Sequence, residues 1–167
     1  TEAEAQFEHI VRLFRQGRVH GAEGAAATAL ASKYLERFHD ANNLFMEATR
    51  LPGNQLDAYV AWGNLFLEKY NRKDATVTFE DALEIDPSYP PALAGLAEAL
   101  SETRTSLAEM RALQAPKINP RLVKARQLLA RLYLDDEQYD NAVEQLEKAL
   151  KVNPESTATR SLLAACY

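Results

Sequence analysis

Residues 56–89 read LDAYVAWGNLFLEKYNRKDATVTFEDALEIDPSY, and their spacing decides the fold. Tyr59, Trp62, Gly63 and Phe66 recur at helical intervals, which sets them on one face of a helix. A polar break follows at Tyr70, Asn71 and Arg72. Ala75, Phe79, Ala82 and Leu83 then form a second helical stripe. Asp86-Pro87 stops that stripe, because the residue before a proline is pushed out of the α region. Small residues such as Gly63, Ala75 and Ala82 let two helix backbones approach, and the large ones fill the gaps alongside. The stretch predicts a pair of antiparallel helices.

The same pattern returns along the chain. Ala41, Ala75, Ala108 and Ala142 are 34, 33 and 34 residues apart. Phe45, Phe79, Ala112 and Leu146 move in the same steps, as do Gly53, Pro87, Pro120 and Pro154. A second series joins Ala29, Gly63, Ala97, Ala130 and Ala164. Thr28, Trp62, Leu96, Leu129 and Leu163 travel with it, and so do Ser32, Phe66, Leu100, Tyr133 and Tyr167. Together the two series put the one missing residue between Leu100 and Ala108. A fixed period of this length is the signature of a helical repeat array. The expected organisation is an N-terminal helix in 1–21 that ends a preceding unit, units 22–55, 56–89, 90–122 and 123–156, and the first helix of a further unit in 157–167. In 22–55 the first helix carries Ala25, Thr28, Ala29 and Ser32 in place of bulky residues. Phe7, Ile10, Val11 and Phe14 are the candidates to fill that space. In 90–122 Pro116 falls inside the second helix and predicts a short, displaced helix.

These units resemble the tetratricopeptide repeat family. Tyr59, Trp62, Gly63, Phe66, Ala75, Phe79, Ala82 and Pro87 supply its whole pattern. Leu129, Ala130, Tyr133, Tyr139, Ala142, Leu146, Ala149 and Pro154 supply nearly all of it, with Arg126 departing at the first aromatic. The resemblance implies an all-α fold, a right-handed superhelix of antiparallel helix pairs with about 10 helices. It also implies a non-catalytic scaffold whose first helices line a concave groove for a partner segment. One subgroup of the family grips a partner's terminal carboxylate with lysines, asparagines and an arginine. Here Asn64 is a single match, Val60 stands where a lysine is wanted and Gly95 where an asparagine is, which argues against that mode. The resemblance further implies that the chain is a piece of a longer array. Leu162 and Leu163 are then expected to be partly bare and to invite self-association.

Composition and motifs point the same way. The net charge of −5 disfavours nucleic acid and anionic membrane surfaces, both of which need a basic face. No apolar run approaches the roughly 20 residues of a membrane span, so the expectation is a soluble chain whose compartment stays open. Cys166 stands alone, so no internal disulfide forms. His9, His20 and His39 have no metal or catalytic spacing, and no metal or cofactor is expected. Asp135-Asp136-Glu137 lacks the alternating ligands and glycine of a calcium loop and reads as a solvated turn. The glycines between Gly17 and Gly24 lack the lysine of a phosphate loop. The aromatics Tyr59, Trp62, Phe66 and Phe79 are assigned by the period to the core rather than to a ligand cage.

What remains is the face opposite the core stripe on the first helices. It offers Glu23, Leu30, Lys33 and Tyr34; then Asp57, Val60, Asn64, Leu67 and Glu68; then Ala94, Glu98 and Glu102; then Lys124, Gln127, Arg131 and Asp135. Asn64, Glu68, Glu98, Lys124, Gln127 and Arg131 are the candidate partner-binding residues, an acidic stretch bordering a basic one. The reading is a protein or peptide scaffold without enzymatic activity. Two alternatives stand beside it: a structural spacer or self-assembly module, and, because Ala61–Asn71 and the unit 123–156 resemble bacterial arrays that can precede peptidase-like domains, a substrate-positioning array of a larger bacterial enzyme such as a peptidase-like protein.

Overall fold

The computed structural model describes residues 1–167 as ten α-helices without a strand. They are α1 (Glu2–Arg15), α2 (Gly21–Tyr34), α3 (Phe38–Arg50), α4 (Gln55–Glu68), α5 (Arg72–Ile85), α6 (Pro90–Leu100), α7 (Thr105–Ile118), α8 (Val123–Asp135), α9 (Tyr139–Val152) and α10 (Thr157–Ala164). The chain divides into two compact units, Thr1–Asp86 with α1–α5 and Pro87–Tyr167 with α6–α10. Within each unit every helix packs on the next, and α2 also touches α4, α6 touches α8 and α8 touches α10. This neighbour-only packing is what a helical-repeat solenoid requires.

Local chemistry sets the helix ends. Asn71 caps α5 by accepting from the Asp74 N–H at 3.2 Å, and its amide donates to the Asp74 carboxylate at 2.6 Å. Helices α5, α7 and α9 end immediately before Asp86-Pro87, Asn119-Pro120 and Asn153-Pro154. The turns after α2, α4 and α8 share one geometry. Glu36, Tyr70 and Glu137 have φ of 60°, 57° and 58°. The following N–H reaches back into the helix, Arg37 to Ser32, Asn71 to Phe66 and Gln138 to Tyr133, at 2.8, 2.9 and 2.7 Å. That is the Schellman closure, with a side-chain-bearing residue where glycine is favoured.

The core follows the repeat. Phe45, Phe79, Leu129 and Leu146 are fully enclosed, with alanines at the close helix contacts. Burial of each such phenylalanine contributes roughly 1.5–3 kcal/mol. In the first unit Phe45 packs with Ala29, Ala41 and Leu65, and Trp62 leans on that cluster while its indole N–H donates to Asn42 at 2.9 Å. Helix α1 covers the alanine-rich α2. Val11 is buried, Phe14 packs on Ala25, Ala48 and Ala58, and Phe7 stacks on Tyr34 with centroids 4.9 Å apart. The ion pair of Arg37 with Glu8 ties α1 to the start of α3.

One expectation fails. Pro116 does not shorten its helix: α7 runs 14 residues through it, and its partner α6, with 11, is the shorter of the pair. Pro116 sits in the last turn, so the single N–H bond it forfeits is to Ala112. Beyond it Asn119 N–H still bonds the Ala115 carbonyl at 2.9 Å, and the proline ring is buried. The missing residue is absorbed instead in α6 and the turn after Leu100, where Thr103 and Arg104 both bond back to the Leu100 carbonyl.

Candidate binding surface

Charged and polar groups on the even-numbered helices are ordered by contacts between those helices. In the first unit, Lys33 of α2 reaches Glu68 of α4 at 2.6 Å. Lys33 also lies 5.5 Å from the centre of the Tyr34 ring. Leu30 and Tyr34 are exposed beside it, and Asn64 is half-buried on α4. In the second unit, Arg131 of α8 lies 3.6 Å from Glu98 of α6, with both side chains part-exposed. Pairs this open contribute at most about 1 kcal/mol each. Their effect is to hold long side chains in place rather than to stabilise the fold.

Gln127 is held from the other side. Its amide nitrogen donates to the Thr159 hydroxyl at 2.8 Å and approaches the Ser156 hydroxyl at 3.4 Å. Ser156 in turn caps α10 by accepting from the Thr159 N–H at 3.3 Å. Thr159 is fully buried, so this is a polar contact locked inside the packing. Gln127 thus has its carbonyl oxygen to offer a ligand, while its nitrogen is committed. Lys124 stands one helical turn before it on α8 and is exposed. The second unit therefore brings Glu98, Lys124, Gln127 and Arg131 onto α6 and α8, and the first unit carries Asn64 and Glu68 on α4.

One correction to the sequence reading follows. Ala94, expected on the open face, is buried at 6% exposure, because the short α6 is apolar on nearly every side. Opposite charges also pair within each unit, Glu98 with Arg131 and Glu68 with Lys33. One signal could have found the first of these. Glu98 and Arg131 are one 33-residue step apart, so they hold the same position on consecutive first helices. The Gln127–Thr159 bond had no such signal.

The remaining reactive groups are placed as ordinary surface or packing residues. His9, His20 and His39 are exposed, and the His39 ring lies 3.3 Å from the Asn43 amide. No group of three or more His, Cys, Asp or Glu side chains is arranged to hold a metal. Asp135, Asp136 and Glu137 form the exposed turn between α8 and α9. The Cys166 thiol donates to the Leu162 carbonyl at 3.4 Å, and burial raises its pKa. Leu162, Leu163 and Cys166 pack on Ala130, Ala142 and Leu146 and are half-buried there. No helix is long and apolar enough to cross a membrane.

Comparison with known proteins sets this geometry in context. Residues 123–166 match the sequence profile described as tetratricopeptide repeat. The fold is similar to TTC0263, a thermophilic TPR protein of Thermus thermophilus, with a TM-score of 0.82 and 19% identity, covering 98% of this chain and 90% of that one. It is also similar to YrrB, described as a TPR protein with an unusual peptide-binding site: TM-score 0.65, 18% identity, 84% and 73% covered. The first TPR of Spaghetti (RPAP3), bound to the HSP90 peptide SRMEEVD, aligns at a TM-score of 0.61 and 17% identity, covering 66% of this chain and 89% of that one. A search of curated proteins gives no match.

Proposed function

We propose that the chain, which matches the tetratricopeptide repeat profile over residues 123–166 and shares the fold of TPR proteins, is a scaffold for protein–protein contacts that binds an extended acidic peptide segment along α6 and α8. The observation that carries this is the ordered row on those helices. Lys124 and Arg131 lie two turns apart on α8, and Gln127 lies between them with its nitrogen already fixed by Thr159. Arg131 is steered by Glu98 without being enclosed: its side chain is 49% exposed and the separation is 3.6 Å. A peptide carboxylate can take over a guanidinium held that loosely at little desolvation cost, and two planar N–H groups then serve it. Asn64 and Glu68 on α4 form a separate contact patch, in which Glu68 already has Lys33 as its partner.

The reading is non-catalytic. It rests on side chains whose chemistry is hydrogen bonding and charge pairing. The test is a peptide-display selection on the whole chain, followed by titration of the selected peptides against the Lys124→Glu, Arg131→Glu double variant. Acidic peptides are expected, with affinity reduced at least about tenfold in the double variant and falling as salt rises. Peptides without charge bias, bound equally by both proteins, would retire this surface. No selected peptide would leave the spacer or assembly reading in its place.

A further inference from the structure

A cavity of about 230 Å³ opens between α1, α2 and α3 within the first unit, away from α6 and α8, which carry the proposed peptide surface. The repeat explains its origin. Thr28 and Ser32 line it at the two positions where later first helices place Trp62 and Phe66, Leu96 and Leu100, or Leu129 and Tyr133. Val11, Phe14 and Leu44 supply apolar walls but do not close the space. Its size exceeds that of a cavity able to hold a benzene ring.

The polar lining is unusual for a packing defect. Ser32 is 1% exposed, and its hydroxyl makes no hydrogen bond within the protein. Thr28, equally buried, donates to the Gly24 carbonyl at 2.7 Å and keeps its lone pairs for the cavity. The hydroxyl still touches the cavity space, where water or a ligand polar atom can bond to it. At the mouth, Arg15, Asp40 and Asn43 are exposed. Arg15 and Asp40 carry opposite charges, and neither is engaged in an ion pair.

We propose that this cavity binds a free aromatic amino acid bearing a ring hydroxyl. The ring lies between Val11, Phe14 and Leu44, and the phenol meets the Ser32 hydroxyl. The carboxylate takes Arg15, and the ammonium takes Asp40 and the Asn43 side-chain oxygen. An apolar enclosure with a few convergent polar groups is the usual form of a small-molecule site.

The experiment is isothermal titration of the full chain with tyrosine, with three relatives that each lack one feature, and with N-acetyltyrosinamide, which lacks both charges. Tyrosine is expected to bind with a dissociation constant on the order of 0.1 mM. Phenylalanine should bind about fivefold more weakly, for loss of one buried hydrogen bond. Tyramine and 3-(4-hydroxyphenyl)propionate should each lose about tenfold, for loss of one charged contact. Ser32→Ala should bring tyrosine down to phenylalanine, and Arg15→Gln, at an exposed site, should bring tyrosine down to tyramine. Ser32→Phe, which fills the cavity, should abolish binding. Absence of tyrosine binding at about 1 mM, roughly ten times the expected constant, overturns the proposal. Equal binding of N-acetyltyrosinamide also overturns it, by assigning the cavity to a peptide side chain. So does tyrosine binding that the Arg15 and Ser32 variants leave unchanged.

Discussion

Gly63→Ala separates two physical terms of opposite sign. Gly63 lies inside α4 and is buried, so replacing it with alanine gains about 1 kcal/mol of helix propensity. A Cβ built there would stand 2.6, 2.7 and 2.9 Å from three ring atoms of Phe79, all inside the closest distance real contacts show. Phe79 is completely enclosed, so the ring has little room to withdraw. Overpacking of this kind costs about 1–3 kcal/mol. The net expectation is a loss of up to about 2 kcal/mol. The cost is kept from being larger by what the fold does elsewhere: Ala29 coexists with Phe45 in one cluster, and Ala130 with Leu146 in another. The assay is urea denaturation of the parent, Gly63→Ala, Phe79→Leu and the double variant. In the Phe79→Leu background the alanine should become stabilising, because the ring atoms it met are gone. A single Gly63→Ala variant more stable than the parent would refute the close approach of α4 and α5.

Other perturbations probe other parts of the fold. Tyr70 is 92% exposed at φ 57°, so Tyr70→Gly should relieve about 1 kcal/mol of left-handed strain and raise the melting temperature by roughly 2–4 °C; an unchanged or lower value would contradict the turn geometry. Burial, with Glu84 and Glu80 adding repulsion, holds the Asp81 carboxyl above its ordinary range. A raised folded-state pKa means the ionised form weakens the fold above that value, and the penalty vanishes below the unfolded-state value. Asp81→Asn should therefore raise the melting temperature near neutral pH and have no such effect at a pH below about 3.9, the ordinary aspartate value. Ser156→Ala removes the α10 cap and one contact of Gln127, and should cost about 1 kcal/mol with faster amide exchange across Thr157–Ala164.

The helices were legible because their information is local. Spacing at three and four residues marks a buried stripe, and Asp86-Pro87, Asn119-Pro120 and Asn153-Pro154 mark stops whatever surrounds them. The effect of Pro116 was not legible. An interior proline and a proline in the last turn look alike until the helix end is placed, and α7 ends two residues later at Ile118. The exposed side of the first helices was readable as a list of charges but not as pairs. Arg131 and Glu98 could have been matched by their shared repeat position. Gln127 and Thr159 differ in position within their units, and only the packing of α10 on α8 joins them. Thr28 and Ser32 stood out in the sequence as undersized residues, but how much space α1 leaves above them depends on where Val11 and Phe14 come to rest.

The proposed seating of a partner on α6 and α8 is tested by a backbone NMR titration of the chain with a selected acidic peptide. Shifts should concentrate on Glu98 and on Lys124 through Arg131, with the side-chain amide of Gln127 among them. Shifts confined to α7 and α9, on the other side of each pair, would contradict it.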